Sequence, residues 1–138
     1  MSPPARWTRA RRRGASAVEF ALVMPAFTAM MYGIFEYSWY FSRELAVMRA
    51  SQAGARLGAF VAPDDDPSAT AEAETRRYLA GSGVDPSAVT VTSQIISGAT
   101  GELILVDTTL DYKPLVGLLP TPKQLVGTAS ATYEGELY

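Results

Sequence analysis

From Phe20 to Phe35 no side chain is charged, and with Glu36 allowed the apolar run continues to Phe41, 22 residues in all. As a helix this run extends roughly 33 Å, about the hydrocarbon thickness of a bilayer. A core helix of a small soluble domain keeps a polar face, and this run has none. The pattern predicts a transmembrane helix over 15–42. Pro25 removes one backbone hydrogen bond, which a membrane helix tolerates. Glu36, 17 positions after Glu19 and roughly 25 Å along the axis, is expected near the far interface, reaching water. Tyr37, Trp39 and Tyr40 beside it fit an interfacial aromatic belt.

Helix-forming composition continues over residues 43–62, RELAVMRASQAGARLGAFVA. Ala46, Ala50, Gly54, Gly58 and Ala62 recur every four residues and form a slowly drifting stripe of small side chains. Such a stripe admits close approach, either by the chain's own C-terminal sheet, which needs a cover, or by a partner helix. Pro63-Asp64-Asp65-Asp66-Pro67 then breaks the helix. Its adjacent carboxylates have the oxygen donors of a calcium site but not the alternating spacing, so it reads as a solvated turn.

The remaining pattern is that of a small mixed domain. A second helix is expected from Pro67 or Ser68 to Leu79. Glu72 and Glu74 lie towards its start and Arg76 and Arg77 towards its end, and Gly81-Ser82-Gly83 closes it. Val89 to Thr92 alternates like a half-buried strand, and Gly98-Ala99-Thr100-Gly101 suits a turn. Glu102 to Tyr112 reads as a strand with Ile104, Val106, Thr108, Leu110 and Tyr112 on one face. Leu115 to Val126 is apolar but interrupted by Gly117, Pro120 and Pro122, hence a loop or short irregular helix, and Thr128 to Glu134 is the last strand. The fold class is α+β: a long N-terminal transmembrane helix continuing into a soluble part, a second short helix, and an antiparallel sheet of about three strands packed on the helix. The residues after the break make a thin core alone, so packing on the helix extension is expected.

Charge gives the chain a direction. Residues 1–14 carry five arginines and no acid, a charge of +5, whereas residues 15–138 carry −7. The positive-inside rule places the N-terminus in the cytoplasm and the bulk of the chain across the membrane. With net charge −2 there is no global basic field for nucleic acid. Histidine and cysteine are both absent, which excludes disulfides, thiolate metal sites and Ser-His-Asp or Cys-His catalysis. The two lysines, Lys113 and Lys123, sit beside prolines, and no serine–lysine or paired-carboxylate spacing stands out. Gly81-Ser82-Gly83 is followed by no phosphate-binding lysine. The expectation is a protein that is not an enzyme, with no metal, no cofactor and no small-molecule substrate.

The most informative segment is RRRG-ASAVEF-ALVMP. A secretory signal has a shorter apolar region followed by small residues, not by YSWYFSRELAV. A cut on the cytoplasmic side, after Gly14, would make Ala15 the first residue and Glu19 the fifth. A lone carboxylate at the edge of hydrocarbon demands a partner. Cleavage creates one, since the new α-amine of one subunit can pair with Glu19 of its neighbour. Without cleavage, Glu19 is simply an acid favoured by a helix N-terminus.

This junction resembles the type IV prepilin leader. The longer stretch RRGASAVEFALVMPAF…YGIFEYSWYF looks like the TadE-like family of the tight-adherence (Tad) pilus machinery, most specifically over residues 11–60. The final ASATYEGEL is similar to the closing strand such proteins often show. The resemblance implies cleavage by a prepilin peptidase between Gly14 and Ala15, with Glu19 and Phe20 at the assembly position. It also implies other Tad pilins and minor pilins as partners. The major Tad pilin is much shorter, which argues for a minor pilin or pseudopilin in the bacterial inner membrane. The expected division is a removed leader at 1–14, the span at 15–42, its extension at 43–62, and a small α+β periplasmic or extracellular domain at 63–138. The alternative is an uncleaved single-pass scaffold whose outer domain binds a partner.

Overall fold

The apolar run and the alanine-rich segment after it form one helix, α1 (Arg6–Gly58), of 53 residues and about 80 Å. The computed structural model describes residues 6–98, 101–117 and 119–134, with side chains from Gly14 onward. Residues 1–5 of the leader, Ala99 and Thr100 of the expected turn, and the chain after Glu134 lie outside the described residues. Pro25 sits within α1 without ending it. The helix stops at Gly58, four residues before the expected Ala62. Ala62 must precede Pro63 and is extended, with φ −61° and ψ 149°. The chain reaches it through a tightening turn in which Phe60 and Val61 donate to the carbonyls of Leu57 and Gly58.

Along 14–32 every side chain of α1 is exposed; from Glu36 onward buried positions recur as Val47, Ala50, Ser51, Gly54, Ala55 and Gly58. Pro63–Asp65 is a single 3-10 turn. Asp66, with φ 50°, then caps α2 (Pro67–Gly81) by accepting from the Ala69 N–H at 3.0 Å. Thus one carboxylate of the acidic triplet serves as an N-cap. In α2 the acids and arginines pair with each other, Glu72 with Arg76 at 3.2 Å and Glu74 with Arg77 at 2.7 Å. None of the four lies in the first or last turn, so the expected dipole arrangement gives way to these i,i+4 and i,i+3 pairs.

Three antiparallel strands follow in the order β1-β2-β3: β1 (Val89–Gly98), β2 (Gly101–Asp111) and β3 (Gln124–Thr132). The β1–β2 register runs from Val89 opposite Leu110 to Gly98 opposite Gly101. β1 is six residues longer than its alternation suggested, because Ser93–Gly98 pairs with β2 while covering no core. β3 starts four residues earlier than expected and stops two earlier. Leu125 and Gly127 point inward here, so part of the apolar stretch read as a loop is strand. The anticipated face of β2 is the buried one: Ile104, Val106 and Thr108 are fully buried, and Leu110 and Tyr112 nearly so.

Both helices cover that face, α1 lying over β2 and β3 and α2 over β1. They run antiparallel, Gly54 meeting Ala71 and Thr75 while Gly58 meets Pro67 and Ala71. The neighbouring row of α1 meets β3. A Cβ at Gly127 would lie 2.9 Å from Val47 Cγ1, and Ser51 Oγ bonds to Thr108 Oγ1 at 2.8 Å and to the Gly127 carbonyl at 3.1 Å. α2 also protects the free edge of β1. Glu72 accepts from the Ser93 N–H at 3.1 Å, and Arg76 donates to the Val91 carbonyl at 3.3 Å.

Candidate functional site

The candidate residues fall in three places on α1, two of them predicted from the sequence. Gly14, Ala15, Glu19 and Phe20 lie on its first, fully exposed part, far from the sheet. A Cβ at Gly14 would meet nothing within 4 Å. Ala50, Gly54 and Gly58 of the small-residue stripe are buried, and Ala46 is half-buried. The surface covering Gly54 and Gly58 is chiefly α2, with Ile104 of β2 beside Gly58.

The third place was not legible as a site. Glu36 is 1% exposed rather than open to water. Its carboxylate accepts the N–H groups of Leu115 at 3.0 Å, Val116 at 2.8 Å and, more weakly, Gly117 at 3.4 Å. The loop between β2 and β3 thereby wraps onto the helix. Gly117 takes φ +75°, a left-handed conformation that glycine adopts without strain. Leu119 continues the contact, its Cδ1 lying 3.5 Å from where a Cβ at Gly33 would stand. The sequence signal was the acid itself, since a carboxylate inside an apolar run demands donors; nothing local says that donors arrive 79–81 residues later.

One turn beyond Glu36 the aromatic residues pack on the same loop. Tyr40 meets Tyr112 edge-on with ring centroids 5.5 Å apart. Arg43 lies over the Trp39 ring at 4.2 Å and donates to the carbonyls of Ser82 at 3.3 Å and Gly83 at 3.1 Å, clamping the end of α2. A cleft of about 230 Å³ opens here, lined by Trp39, Arg43, Asp85, Tyr112 and Lys113 among others. Arg43 and Asp85 already have structural partners. Asp85 accepts from the Ser87 N–H at 2.9 Å and hydroxyl at 2.8 Å. Those bonds, with a smaller contribution from Lys113, hold its carboxyl below the usual aspartate range. Among the described residues no group of three or more acids is placed to hold a metal ion.

Tyr112 is 7% exposed, and its hydroxyl is buried without a hydrogen-bond partner among the described residues. Replacing it by phenylalanine removes an unsatisfied group while keeping the ring, so Tyr112→Phe is expected to raise stability by about 1 kcal/mol at neutral pH. Burial raises the Tyr112 pKa, and the charge of Glu36 and the presence of Tyr40 add to it. The folded state therefore favours the neutral phenol. That contribution is complete below the unfolded tyrosine value of about 10 and is lost as pH rises through the higher folded value. The variant should show a flatter alkaline limb in thermal unfolding followed by circular dichroism.

Among the described residues α1 is the one helix long and apolar enough to cross a membrane, and it provides an N-terminal segment of the kind that anchors a chain. Neither a curated protein nor a solved structure matches the chain. A model of the family described as TadE-like protein matches residues 14–56. The match begins at Gly14 and ends two residues before α1 does, and it supports membership of that family through the helix that carries the junction, the apolar run and the small-residue stripe.

Proposed function

We propose that this chain is a pilin-like structural protein, a minor pilin or pseudopilin that serves assembly of a Tad-type pilus in adherence. The observation that carries the reading is the TadE-like match starting at Gly14, the residue before the expected cut. The exposed Glu19 and Phe20, and the apolar surface of α1 after them, support it. A prepilin peptidase removes residues 1–14 on the cytoplasmic face of the inner membrane, and the domain after α1 stands on the periplasmic side. The α-amine of Ala15 in one subunit then pairs with Glu19 of a neighbouring pilin. That pair neutralises a carboxylate at the edge of hydrocarbon and sets the axial register of the helices. The protein's chemistry is done to it by the peptidase; its own contribution is helix packing.

One observation favours the uncleaved scaffold instead. α1 is continuous from Arg6 through residues 14 and 15, so the junction must unwind before a peptidase can engage it. Intact mass and N-terminal sequencing of the membrane-extracted protein, with and without the cognate prepilin peptidase, separate the two readings. The expected chain starts at Ala15 only when the peptidase is present. A chain that keeps residues 1–14 in both samples removes the pilin mechanism.

A further inference from the structure

The loop between β2 and β3 has a pattern that neither pilin processing nor helix packing uses. Its sequence is KPLVGLLPTPK, and its ends hold the chain's two lysines. The neck is closed by the Tyr112 N–H donating to the Lys123 carbonyl at 2.8 Å, which makes the segment a compact surface loop with adjacent ends. Lys113 and Lys123 are both exposed at that neck. At the tip Leu115 is 56% and Val116 45% exposed, an arrangement unfavourable in water.

The position of the tip explains the exposure. It does not project away from α1 but runs down it towards the apolar span. Tyr112 packs on Tyr40, Leu115 and Val116 bond to Glu36, and Leu119 reaches Gly33. From Tyr40 to Gly33 is seven residues, about 10 Å along the axis. Ile34 and Phe35, at the same height on α1, are themselves more than half exposed. The tip therefore shares its depth with helix surface that faces hydrocarbon.

Backbone in hydrocarbon must have its N–H groups satisfied. Over its tip, from Pro114 to Gly117, this loop meets the requirement, and two further prolines beyond the tip lower the demand. Pro114, Pro120 and Pro122 have no N–H to satisfy, and Glu36 accepts those of Leu115, Val116 and Gly117. The lysines at the neck lie where headgroup phosphates would be, their stems able to run along apolar surface while the ammonium groups stay in water.

We propose that the Lys113–Lys123 loop is a second membrane contact: its Leu115–Val116 tip inserts into the outer-face leaflet beside α1, and Lys113 and Lys123 bind anionic headgroups. The outer domain is then seated on the bilayer at two points and cannot swing freely about α1. The inference rests on α1 spanning the membrane but not on cleavage at Gly14.

The chain has no cysteine, so single-cysteine variants can be spin-labelled directly. We would label Leu115→Cys, Val116→Cys, Phe27→Cys and Phe60→Cys in the full chain, reconstituted in phosphatidylethanolamine–phosphatidylglycerol vesicles. Collision with oxygen, which concentrates in lipid, is compared with collision with a water-soluble nickel chelate. Labels at 115 and 116 are expected to favour oxygen several-fold over the label at 60 and to approach the label at 27. Water-like values at 115 and 116 with a lipid-like value at 27 overturn the loop contact alone. A water-like value at 27 overturns the membrane reading and this proposal with it. Shielding from both reagents with spin–spin broadening means that a second copy covers the tip, which also overturns it. Lys113→Glu with Lys123→Glu should move the 115 and 116 labels towards water and leave 27 unchanged; unchanged depth at 115 and 116 overturns the headgroup contact.

Discussion

Gly54→Ala is expected to destabilise the outer domain by about 3 kcal/mol, the upper part of the range for overpacking a close contact. The added Cβ would overlap Thr75 Oγ1 and stand 2.6 Å from the Ala71 carbonyl oxygen, which is backbone and cannot swing aside. Thr75 is fully buried and fixed by its own bond to that same carbonyl at 2.8 Å. The strain can be relieved only by separating α1 from α2, which opens the core around Ala71 and Leu79. Gly81→Ala supplies the contrast. A Cβ there meets nothing within 4 Å, and the change should stabilise by about 0.5–1 kcal/mol because alanine loses less backbone freedom on folding. Urea unfolding of the detergent-solubilised protein should place Gly54→Ala well below the parent and Gly81→Ala slightly above it. Thr75→Ala should partly rescue Gly54→Ala, since the two changes share a contact. Equal midpoints for Gly54→Ala and the parent would mean that the helices do not approach through this glycine.

The same stripe shows what could and could not be read from the chain alone. Four-residue spacing of small side chains predicts a close neighbour, because that requirement is local to one helix. It does not say which neighbour, because the answer lies in Ala71 and Thr75, on another helix whose own pattern is unremarkable. β2 was legible residue by residue, since one of its faces is buried and the alternation is strict. β3 was misplaced for a physical reason. Its inward positions Gly127, Ala129 and Ala131 are small because α1 lies against them, so they carry little hydrophobic signal, and the prolines upstream masked its start. The second half of β1 covers no core; there the ladder with β2, not burial, makes the strand. The proposed junction residues Gly14, Ala15, Glu19 and Phe20 rest on a different kind of signal. They form a contiguous pattern whose meaning depends on position relative to an arginine run and an apolar run, and no tertiary contact enters it.

Glu36→Ala is expected to cost the outer domain about 3–5 kcal/mol, in the range of removing one partner from a buried charged interaction. The carboxylate is the acceptor for Leu115, Val116 and Gly117, and alanine leaves all three N–H groups facing apolar surface. The variant must therefore release the loop from α1, exposing Gly33 and losing the contact between Tyr40 and Tyr112. Hydrogen exchange should show the amides of 115–117 protected in the parent and unprotected in Glu36→Ala, while those of β2 keep their protection. Glu36→Gln should fall between the two, because one amide oxygen remains to accept but the charge and the second oxygen are gone. That order separates hydrogen bonding from mere filling of space, since glutamine fills the site nearly as well as glutamate. Parent-like protection of 115–117 in Glu36→Ala would show that the loop is held by its own turns and that the acid is incidental. The expected result would instead make Glu36 the residue that fixes the β2–β3 loop on the apolar part of α1, while the small-residue stripe from Ala50 to Gly58 seats the rest of the outer domain.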